Sequence, residues 1–276
     1  MHDIRRLAFI GGGNMAAALI SGLTNRGMSR ERLIVADPSQ DQLDRLVRDY
    51  GILTAADNAS AVQGAEVVIL AVKPQLMRGV ALGLAPHLAE AQPLVISVAA
   101  GIPHAALARW FGPRVPVIRT MPNRPALNGF GATGLFAPAG VGAANRALAE
   151  MIMAAVSATV WVEHESQMDT VTALSGSGPA YFFLFMEALE AAAHARGLPT
   201  DVAHRLTLET AFGAAHMARQ SADSLATLRE QVTSKGGTTA AALAVLDAAG
   251  LRAIVAHAVA AADRRSAELA AEYGAP

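Results

Sequence analysis

Apolar residues follow two spacings along this chain, and the change between them divides it. Up to residue 163, short apolar runs alternate with longer segments in which apolar residues recur at helical spacing. The main runs cover residues 7–10, 33–37, 66–72 and 94–98, and shorter ones cover 52–53, 115–118, 133–136 and 159–162. The nearly continuous run at 66–72 is typical of a parallel strand buried on both faces. This alternation predicts an α/β fold with a doubly wound, Rossmann-type sheet.

Beyond residue 163 the strand pattern stops, and the remaining spacing is helical. Helices are expected over 200–220, 225–232, 240–248 and 251–271. The stretch at 175–179, Ser-Gly-Ser-Gly-Pro, is expected to interrupt a helix that runs through Val171 and to begin the next, because serine before a first-turn proline favours a helix start. We therefore predict a dinucleotide-binding domain over 1–163 and an all-α domain over 164–276.

The helix after this interruption has no polar face. Residues 180–186 read Ala-Tyr-Phe-Phe-Leu-Phe-Met. A helix that is apolar all round has to be covered on every side. Because a helical domain of roughly 110 residues offers few enclosed positions, we predict that this helix lies in an interface between subunits.

A glycine-rich turn follows the first apolar run. Gly11, Gly13 and Ala16 form the pattern G-x-G-x-x-A between a strand and an alanine-rich helix at 14–26. In a dinucleotide site the first glycine permits the tight turn, the second lets the phosphate approach, and the small third residue allows close packing. The helix start then offers free N–H groups to a pyrophosphate. The pattern alone is equally consistent with a flexible loop.

An acidic residue ends the second apolar run and strengthens the dinucleotide hypothesis. Asp37 stands at the interval after the glycines where a carboxylate binds the ribose hydroxyls. The alternative is that Asp37 only opens a turn with Pro38. We favour the ribose interpretation.

Composition and charge exclude several classes of partner and chemistry. The chain has 276 residues, a formal net charge of −1 and no cysteine. The near-neutral charge gives no footprint for nucleic acid or an anionic membrane, and the missing thiol excludes disulfides and thiol catalysis. No apolar run reaches the roughly 18 residues of a membrane span, and the N-terminus leaves no room for a signal peptide. We expect a cytoplasmic protein whose partners are small molecules or copies of itself.

Candidate chemistry in the helical part centres on one turn. Gly236, Gly237, Thr238 and Thr239 precede a helix, so bare N–H groups and two hydroxyls could hold a carboxylate. The alternative is a threonine N-cap with flexible glycines. The segment 119–125 is a second candidate pocket wall, although its two prolines also suit an ordered loop. The eight histidines show no metal-ligand spacing, and no Ser-His-Asp arrangement is favoured, so we predict no metal site.

Taken together, five sequence blocks resemble the pyrroline-5-carboxylate reductase family. They are Phe-Ile-Gly-Gly-Gly-Asn-Met at 9–15, Ala-Val-Lys-Pro at 71–74, Met-Pro-Asn at 121–123, Leu-Ser-Gly-Ser-Gly-Pro-Ala-Tyr at 174–181 and Gly-Gly-Thr-Thr at 236–239. The blocks occur in order over nearly the whole chain. The serine-glycine block followed by the Gly-Gly-Thr-Thr turn is the more specific part.

The resemblance implies an activity and a set of site residues. The activity is hydride transfer from NADPH or NADH to the C=N carbon of 1-pyrroline-5-carboxylate, giving L-proline in the last step of proline biosynthesis. The implied assembly is an obligate homodimer formed through the helical domains, often extended to a decamer. Substrate would be bound by Gly237, Thr238 and Thr239, with the Thr239 hydroxyl, as the catalytic candidate, near the ring nitrogen. Cofactor would be bound by Ile10, Gly11, Gly12, Gly13, Asn14, Met15, Asn58, Ala71, Val72, Lys73, Pro74, Ala99, Ala100 and Gly101.

Two positions depart from the family's usual pattern. Lys235 stands where a proline commonly precedes the two glycines, and its cation could steer an anionic substrate or be inconsequential. Asp37 stands where the family commonly has Ser or Asn, and its carboxylate should repel the 2′-phosphate of NADPH. We therefore expect a smaller preference for NADPH than is usual.

Two other functions remain open at this point. One is a related two-domain hydroxyacid or imine reductase, although hydroxyacid enzymes of this plan carry a catalytic lysine that the helix around 167–174 lacks. The other is a cofactor-sensing oligomeric regulator. An intact Gly236–Thr239 turn argues against a sensor, because a sensor needs no second anion site.

Overall fold

The computed structural model describes residues 4–275, in which strands and helices alternate up to residue 161 and helices follow. The strands are β1 (Leu7–Ile10), β2 (Leu33–Ala36), β3 (Leu53–Thr54), β4 (Val67–Leu70), β5 (Leu94–Ser97), β6 (Val117–Met121), β7 (Gly131–Phe136) and β8 (Ser157–Trp161). The helices are α1 (Asn14–Asn25), α2 (Gln40–Tyr50), α3 (Asn58–Val62), α4 (Pro74–Leu88), α5 (His104–Phe111), α6 (Ala143–Met153), α7 (Gln167–Val171), α8 (Gly178–Ala195), α9 (Thr200–Gln220), α10 (Leu225–Gln231), α11 (Thr238–Ala248) and α12 (Leu251–Tyr273).

The eight strands form one sheet in the order β3-β2-β1-β4-β5-β6-β7-β8. Neighbouring strands are parallel except β6 and β7, which are antiparallel because a short connection joins them. Leu7 of β1 pairs with Leu33 of β2 on one side and with Val67 of β4 on the other. The strand order therefore reverses at β1, and the carboxyl end of β1 opens into the crevice where α/β sheets bind ligands.

Both faces of the sheet are buried, as the continuous apolar runs predict. Phe9, Ile69 and Ile96 pack on one face with α1, α2 and α6. Ile10, Leu70 and Val95 pack on the other face with α4 and α5. Each central strand therefore contributes alternate residues to two cores, and the sheet gives its carboxyl edge a rigid base.

The sequence predicted that residues 175–179 interrupt a helix, but the structure has a widened helical turn there. Residues Thr172–Gly176 continue α7 as a π-helical turn, in which the N–H of Ser177 donates to the carbonyl of Thr172 at 2.9 Å, and α8 begins at Gly178. The helix is therefore widened at this point and is not broken. Such π turns are frequent at functional sites.

The described chain divides into two compact units whose limits differ from the predicted domains. One unit contains residues up to Ser177 together with those from Ala261 onward, and the other contains Gly178–Ala260. The difference arises because α7 packs on β7 and the end of α12 returns to the sheet unit. In that return the hydroxyl of Tyr273 accepts from Gln75 at 2.9 Å.

The second unit is helical and has few buried side chains. In α8 only Gly178 is buried, whereas Phe182 is 71% and Phe183 is 64% exposed within the single chain. The apolar surface that the sequence predicts for this helix is therefore uncovered in one copy of the chain. Among residues 4–275, no single helix is long and apolar enough to cross a membrane; α11 and α12 meet that test only as a pair bent by 53°.

Candidate functional site

The turn after β1 requires glycine at its first position. Gly11 has φ +98°, and a Cβ there would lie 2.6 Å from the carbonyl oxygen of Ala71. The N–H of Gly11 donates to the carbonyl of Ala36 at 2.8 Å, and the N–H of Ala71 donates to the carbonyl of Ile10 at 2.8 Å. The ends of β1, β2 and β4 are thus tied together, with Ile10 buried beneath them.

The second glycine is joined to the acidic residue that ends β2. The N–H of Gly12 donates to Oδ2 of Asp37 at 2.7 Å, and the N–H of Ser39 donates to Oδ1 at 2.8 Å. The carboxylate of Asp37 therefore orders the turn at Pro38 and also contacts the glycine turn. Ribose binding by Asp37 stays a prediction. The two N–H groups fix where this negative charge lies.

The third glycine leaves the helix start open. Gly13 is the N-cap of α1, and a Cβ placed on it would have no atom within 4 Å. The first hydrogen bond of the helix runs from the N–H of Ala17 to the carbonyl of Gly13 at 3.0 Å, so the N–H groups of Asn14 and Met15 precede it. The N–H groups of Gly11 and Gly12 are already hydrogen-bonded within the protein. The N–H groups available to an anion are therefore those of Gly13, Asn14 and Met15.

The other predicted cofactor residues follow neighbouring strands at the same sheet edge. Ala71 and Val72 follow β4 beside Gly11, Lys73 is the exposed N-cap of α4, and Pro74 is its first residue. Asn58 begins α3 directly after the N-cap Asp57. The N–H of Ser60 is the main reason that the pKa of Asp57 lies below its usual value.

The turn after β5 packs against the end of the chain. Ala99 is buried and Ala100 is half-buried. Gly101 has φ +70°, and a Cβ there would lie 3.3 Å from Cβ of Leu269 in α12. This turn therefore lies at the carboxyl edge of the sheet but is held from behind by α12.

A cavity of about 270 Å³ adjoins the start of α1. Its lining residues are Asn14, Met15, Pro122, Asn123, Arg124, Leu127 and Gly176. Three of the sequence blocks, namely 9–15, 121–123 and 174–181, meet at this cavity. The sequence suggested a pocket wall at 119–125 but treated 175–179 as helix punctuation, so it missed Gly176 and gave Asn123 no role.

Asn123 connects the π turn to the sheet. Its Nδ2 donates to the carbonyl of Ser175 at 2.9 Å, and its Oδ1 accepts from the N–H of Ala132 at 2.9 Å. Only 8% of Asn123 is exposed. Because both ends of the amide are bonded, the side chain has a single favourable orientation.

An ion pair joins buried Arg119 of β6 to half-buried Glu165. The guanidinium of Arg119 donates to Oε1 of Glu165, and the backbone N–H of His104 donates to the same oxygen. Burial lowers the pKa of His104; the Arg119 charge lowers it further, whereas the Glu165 charge raises it. The pair anchors the segment that leads into α7.

The predicted substrate turn lies in the helical unit, at the start of α11. Gly236 has φ +71°, and Gly237 is the N-cap. The N–H of Gly237 donates to the carbonyl of Ser234 at 3.0 Å, and the first helical bond runs from the N–H of Ala241 to the carbonyl of Gly237. The donors ahead of that bond are therefore those of Thr238, Thr239 and Ala240.

Comparison with known proteins decides the family. The chain is 48% identical over 269 residues to a pyrroline-5-carboxylate reductase of Pseudomonas aeruginosa, covering 98% of each chain, and 43% identical to the enzyme of that name from Vibrio alginolyticus, covering 96% of this chain and 97% of that one. The chain belongs to the pyrroline-5-carboxylate reductase family. Residues 165–269 match the model for pyrroline-5-carboxylate reductase dimerisation, and residues 6–101 match that for coenzyme F420-dependent NADP oxidoreductases.

Solved pyrroline-5-carboxylate reductases share the fold. A structure from Coxiella burnetii has a TM-score of 0.93 at 43% identity, covering 97% of this chain and 99% of that one. A Plasmodium falciparum structure with NADP bound has a TM-score of 0.85 at 28% identity, covering 98% and 99%. The predicted resemblance and fold class are confirmed: a Rossmann-type sheet domain is followed by a helical dimerisation domain.

Proposed function

We propose that this chain reduces 1-pyrroline-5-carboxylate to L-proline, the last step of proline biosynthesis, with NADPH or NADH. The observation that carries the proposal is the cavity beside the α1 start, where three family sequence blocks meet. Its relatives at 48% and 43% identity bear the name of this reductase. A hydroxyacid reductase or a cofactor sensor would not require these blocks together.

The glycine turn and the sheet edge fit a dinucleotide. The N–H groups of Gly13, Asn14 and Met15 hold the pyrophosphate, while Gly11 permits the close approach of β1 and β4. Asp37 accepts from the ribose hydroxyls. The path of the cofactor is completed by Asn58, Ala71, Val72, Lys73, Pro74, Ala99, Ala100 and Gly101, with Ile10 and Gly12 supporting the turn from within.

The substrate end needs little chemical equipment. NAD(P)H, when bound, supplies the hydride that reduces the C=N carbon. That carbon is already electrophilic, so the protein contributes mainly proximity and orientation. The N–H groups of Thr238 and Thr239 bind the substrate carboxylate, and Gly237 shapes their turn. The Thr239 hydroxyl, directly or through an ordered water, places a proton donor at the ring nitrogen.

The direct test follows oxidation of NADH and NADPH with pyrroline-5-carboxylate and with piperideine-6-carboxylate. The wild type should turn over the five-membered imine. Thr239→Ala should lower kcat/KM, and Thr239→Ser, which keeps the hydroxyl, should restore most of it. Thr227→Ala, at a threonine in the short helix α10, is the matched control. Unchanged kinetics in Thr239→Ala would remove the proposed role of the hydroxyl.

The family's dimerisation domain makes the chain a homo-oligomer, and we propose that its basic unit is an obligate dimer that can assemble into a decamer. The exposed apolar residues of α8 support a partner that covers them. Light scattering on the purified protein measures the number of copies. Phe183→Glu should reduce that number, whereas Leu82→Glu, an exposed apolar position on α4, should not. A stable wild-type monomer would contradict the dimer.

A cytoplasmic location stays a prediction.

A further inference from the structure

We propose that Asn123 is a positioning residue of this enzyme, and that its hydrogen bond to the Ser175 carbonyl holds the π turn Thr172–Gly176 as a wall of the cofactor cavity. The inference rests on the proposed function only for its kinetic readout. The Asn123 side chain joins two sequence blocks, 121–123 and 174–181. Taken separately, the sequence suggested an ordered loop for the first and a helix start for the second.

The first step is the geometry of the π turn. An i to i+5 bond from the N–H of Ser177 to the carbonyl of Thr172 widens the helix here. In a regular helix the Ser175 carbonyl would accept from residue 179, but Pro179 has no N–H, so this carbonyl can accept from outside the helix. The hydroxyl of Thr172 donates to the carbonyl of Met168, and the hydroxyl of Ser175 donates to the carbonyl of Val171, so neither hydroxyl bonds the Ser175 carbonyl. Asn123 supplies the donor that reaches the Ser175 carbonyl.

The second step is how tightly the turn is placed. A Cβ on Gly134 of β7 would lie 2.6 Å from a γ-methyl of Val171, so a glycine is needed for α7 to pack this closely. Asn123 accepts from the N–H of Ala132 on the same strand. The side chain of Asn123, itself buried, therefore spans from β7 to the π turn.

The third step is the location of the turn. Gly176 and Asn123 line the same cavity as Asn14 and Met15, the residues whose N–H groups would hold the proposed pyrophosphate. Displacement of the π turn would change the width of the cavity without touching the glycine turn. Loss of the Asn123 bond should therefore disturb the reacting end of the cofactor more than its adenosine end.

The hydrogen-bond pattern gives a test that separates this role from simple packing. Asn123→Asp has the same shape. As a carboxylate it still accepts from Ala132 but places a negative oxygen against the Ser175 carbonyl. As a neutral acid it donates its O–H to that carbonyl and restores the bond. Burial favours the neutral form, whereas Arg124, the charged residue among those that line the cavity, favours the carboxylate.

The experiment compares wild type, Asn123→Asp, Asn123→Ala and the exposed control Asn128→Asp between pH 5.5 and 8. At pH 8, Asn123→Asp should lose about tenfold or more in kcat relative to wild type, as expected when a buried acceptor is left unsatisfied, with a smaller change in the Kd for NADH. The ratio to wild type should rise toward one as the pH falls. Asn123→Ala should show a reduced ratio that does not change with pH, and Asn128→Asp should match wild type throughout.

A second readout needs no turnover. Amide hydrogen exchange of residues 172–177, compared with wild type at the same pH, should be faster in Asn123→Asp at pH 8 and return to the wild-type rate at pH 5.5. If wild type reduces no pyrroline-5-carboxylate, the proposed function fails while exchange still tests the inference. Wild-type activity in Asn123→Asp at pH 8, or unchanged exchange there, overturns it. If Asn123→Asp does not fold, Asn123→Ala carries the test, and unchanged exchange of residues 172–177 in that variant overturns the inference.

Discussion

The backbone N–H of Gly12 donates to Oδ2 of Asp37 across 2.7 Å, joining the glycine turn after β1 to the end of β2. The same carboxylate accepts from the N–H of Ser39. Charge-assisted bonds from two backbone donors hold the carboxylate in place. A 2′-phosphate at this point would meet a fixed negative charge with no freedom to turn away.

Asp37→Ser should therefore raise the ratio of kcat/KM for NADPH over NADH by about tenfold or more, since one charge repulsion of over 1.4 kcal/mol is removed. Steady-state kinetics with both cofactors measures it. Asp41→Ser, which removes an exposed carboxylate from the first turn of α2, should leave the ratio unchanged. A wild-type enzyme that already prefers NADPH by a large factor would refute the expectation.

Alanine substitutions at Gly11 and Gly13 should impair the protein in different ways, the first through stability and the second through cofactor binding. Gly11→Ala places a Cβ 2.6 Å from the Ala71 oxygen at φ +98°, so it should lower the free energy of unfolding by at least about 2 kcal/mol. Gly13→Ala meets open space and should cost less than about 1 kcal/mol. Its methyl group lies where the pyrophosphate must approach, so the Kd for NADH should rise strongly. Urea unfolding and fluorescence titration distinguish the two, and equal stability losses would contradict this assignment.

Removal of Glu165 should leave a buried cation without its partner. The side chain of Arg119 is 8% exposed, so Glu165→Ala should cost about 3 kcal/mol in the free energy of unfolding. The matched control is Glu268→Ala, which breaks an ion pair with Arg265 whose side chains are both 61% exposed, and it should cost no more than about 0.5 kcal/mol. Similar losses in urea unfolding would show that burial does not decide the difference.

His104 should make stability depend on pH. Its pKa in the folded protein is lowered, chiefly by burial, from a usual value of 6.5. The unfolded chain therefore binds the proton first, and the free energy of unfolding falls as the pH drops below about 6.5. His104→Phe keeps a ring against Phe136 and should flatten the curve between pH 7.5 and 5.5, by at most about 1.4 kcal/mol per pH unit. Parallel curves would exclude His104 as the cause.

Sequence spacing predicted the sheet well because its central strands are continuous apolar runs, as at 7–10 and 66–72. It failed where the backbone departs from regular geometry. The π turn at 172–176 depends on a bond from Asn123, some fifty residues earlier in the chain, and no local pattern contains that partner. Likewise, the N–H of Gly12 is used by a hydrogen bond to Asp37, which lies 25 residues later in the chain, and the N–H of Gly237 is used by a turn bond to Ser234. Residue types predicted the two turns, but only the structure showed which donors they leave free.

The return of α12 to the sheet unit has a practical consequence for dissecting this protein. A fragment ending at Ser177 would contain all eight strands but would expose the surface beside Gly101 that Leu269 and Tyr273 cover. The guanidinium of Arg109 would also lose its hydrogen bond to the Gly274 carbonyl. To isolate the nucleotide-binding half in a folded state, an engineer would have to splice residues 261–275 back onto it through a new linker.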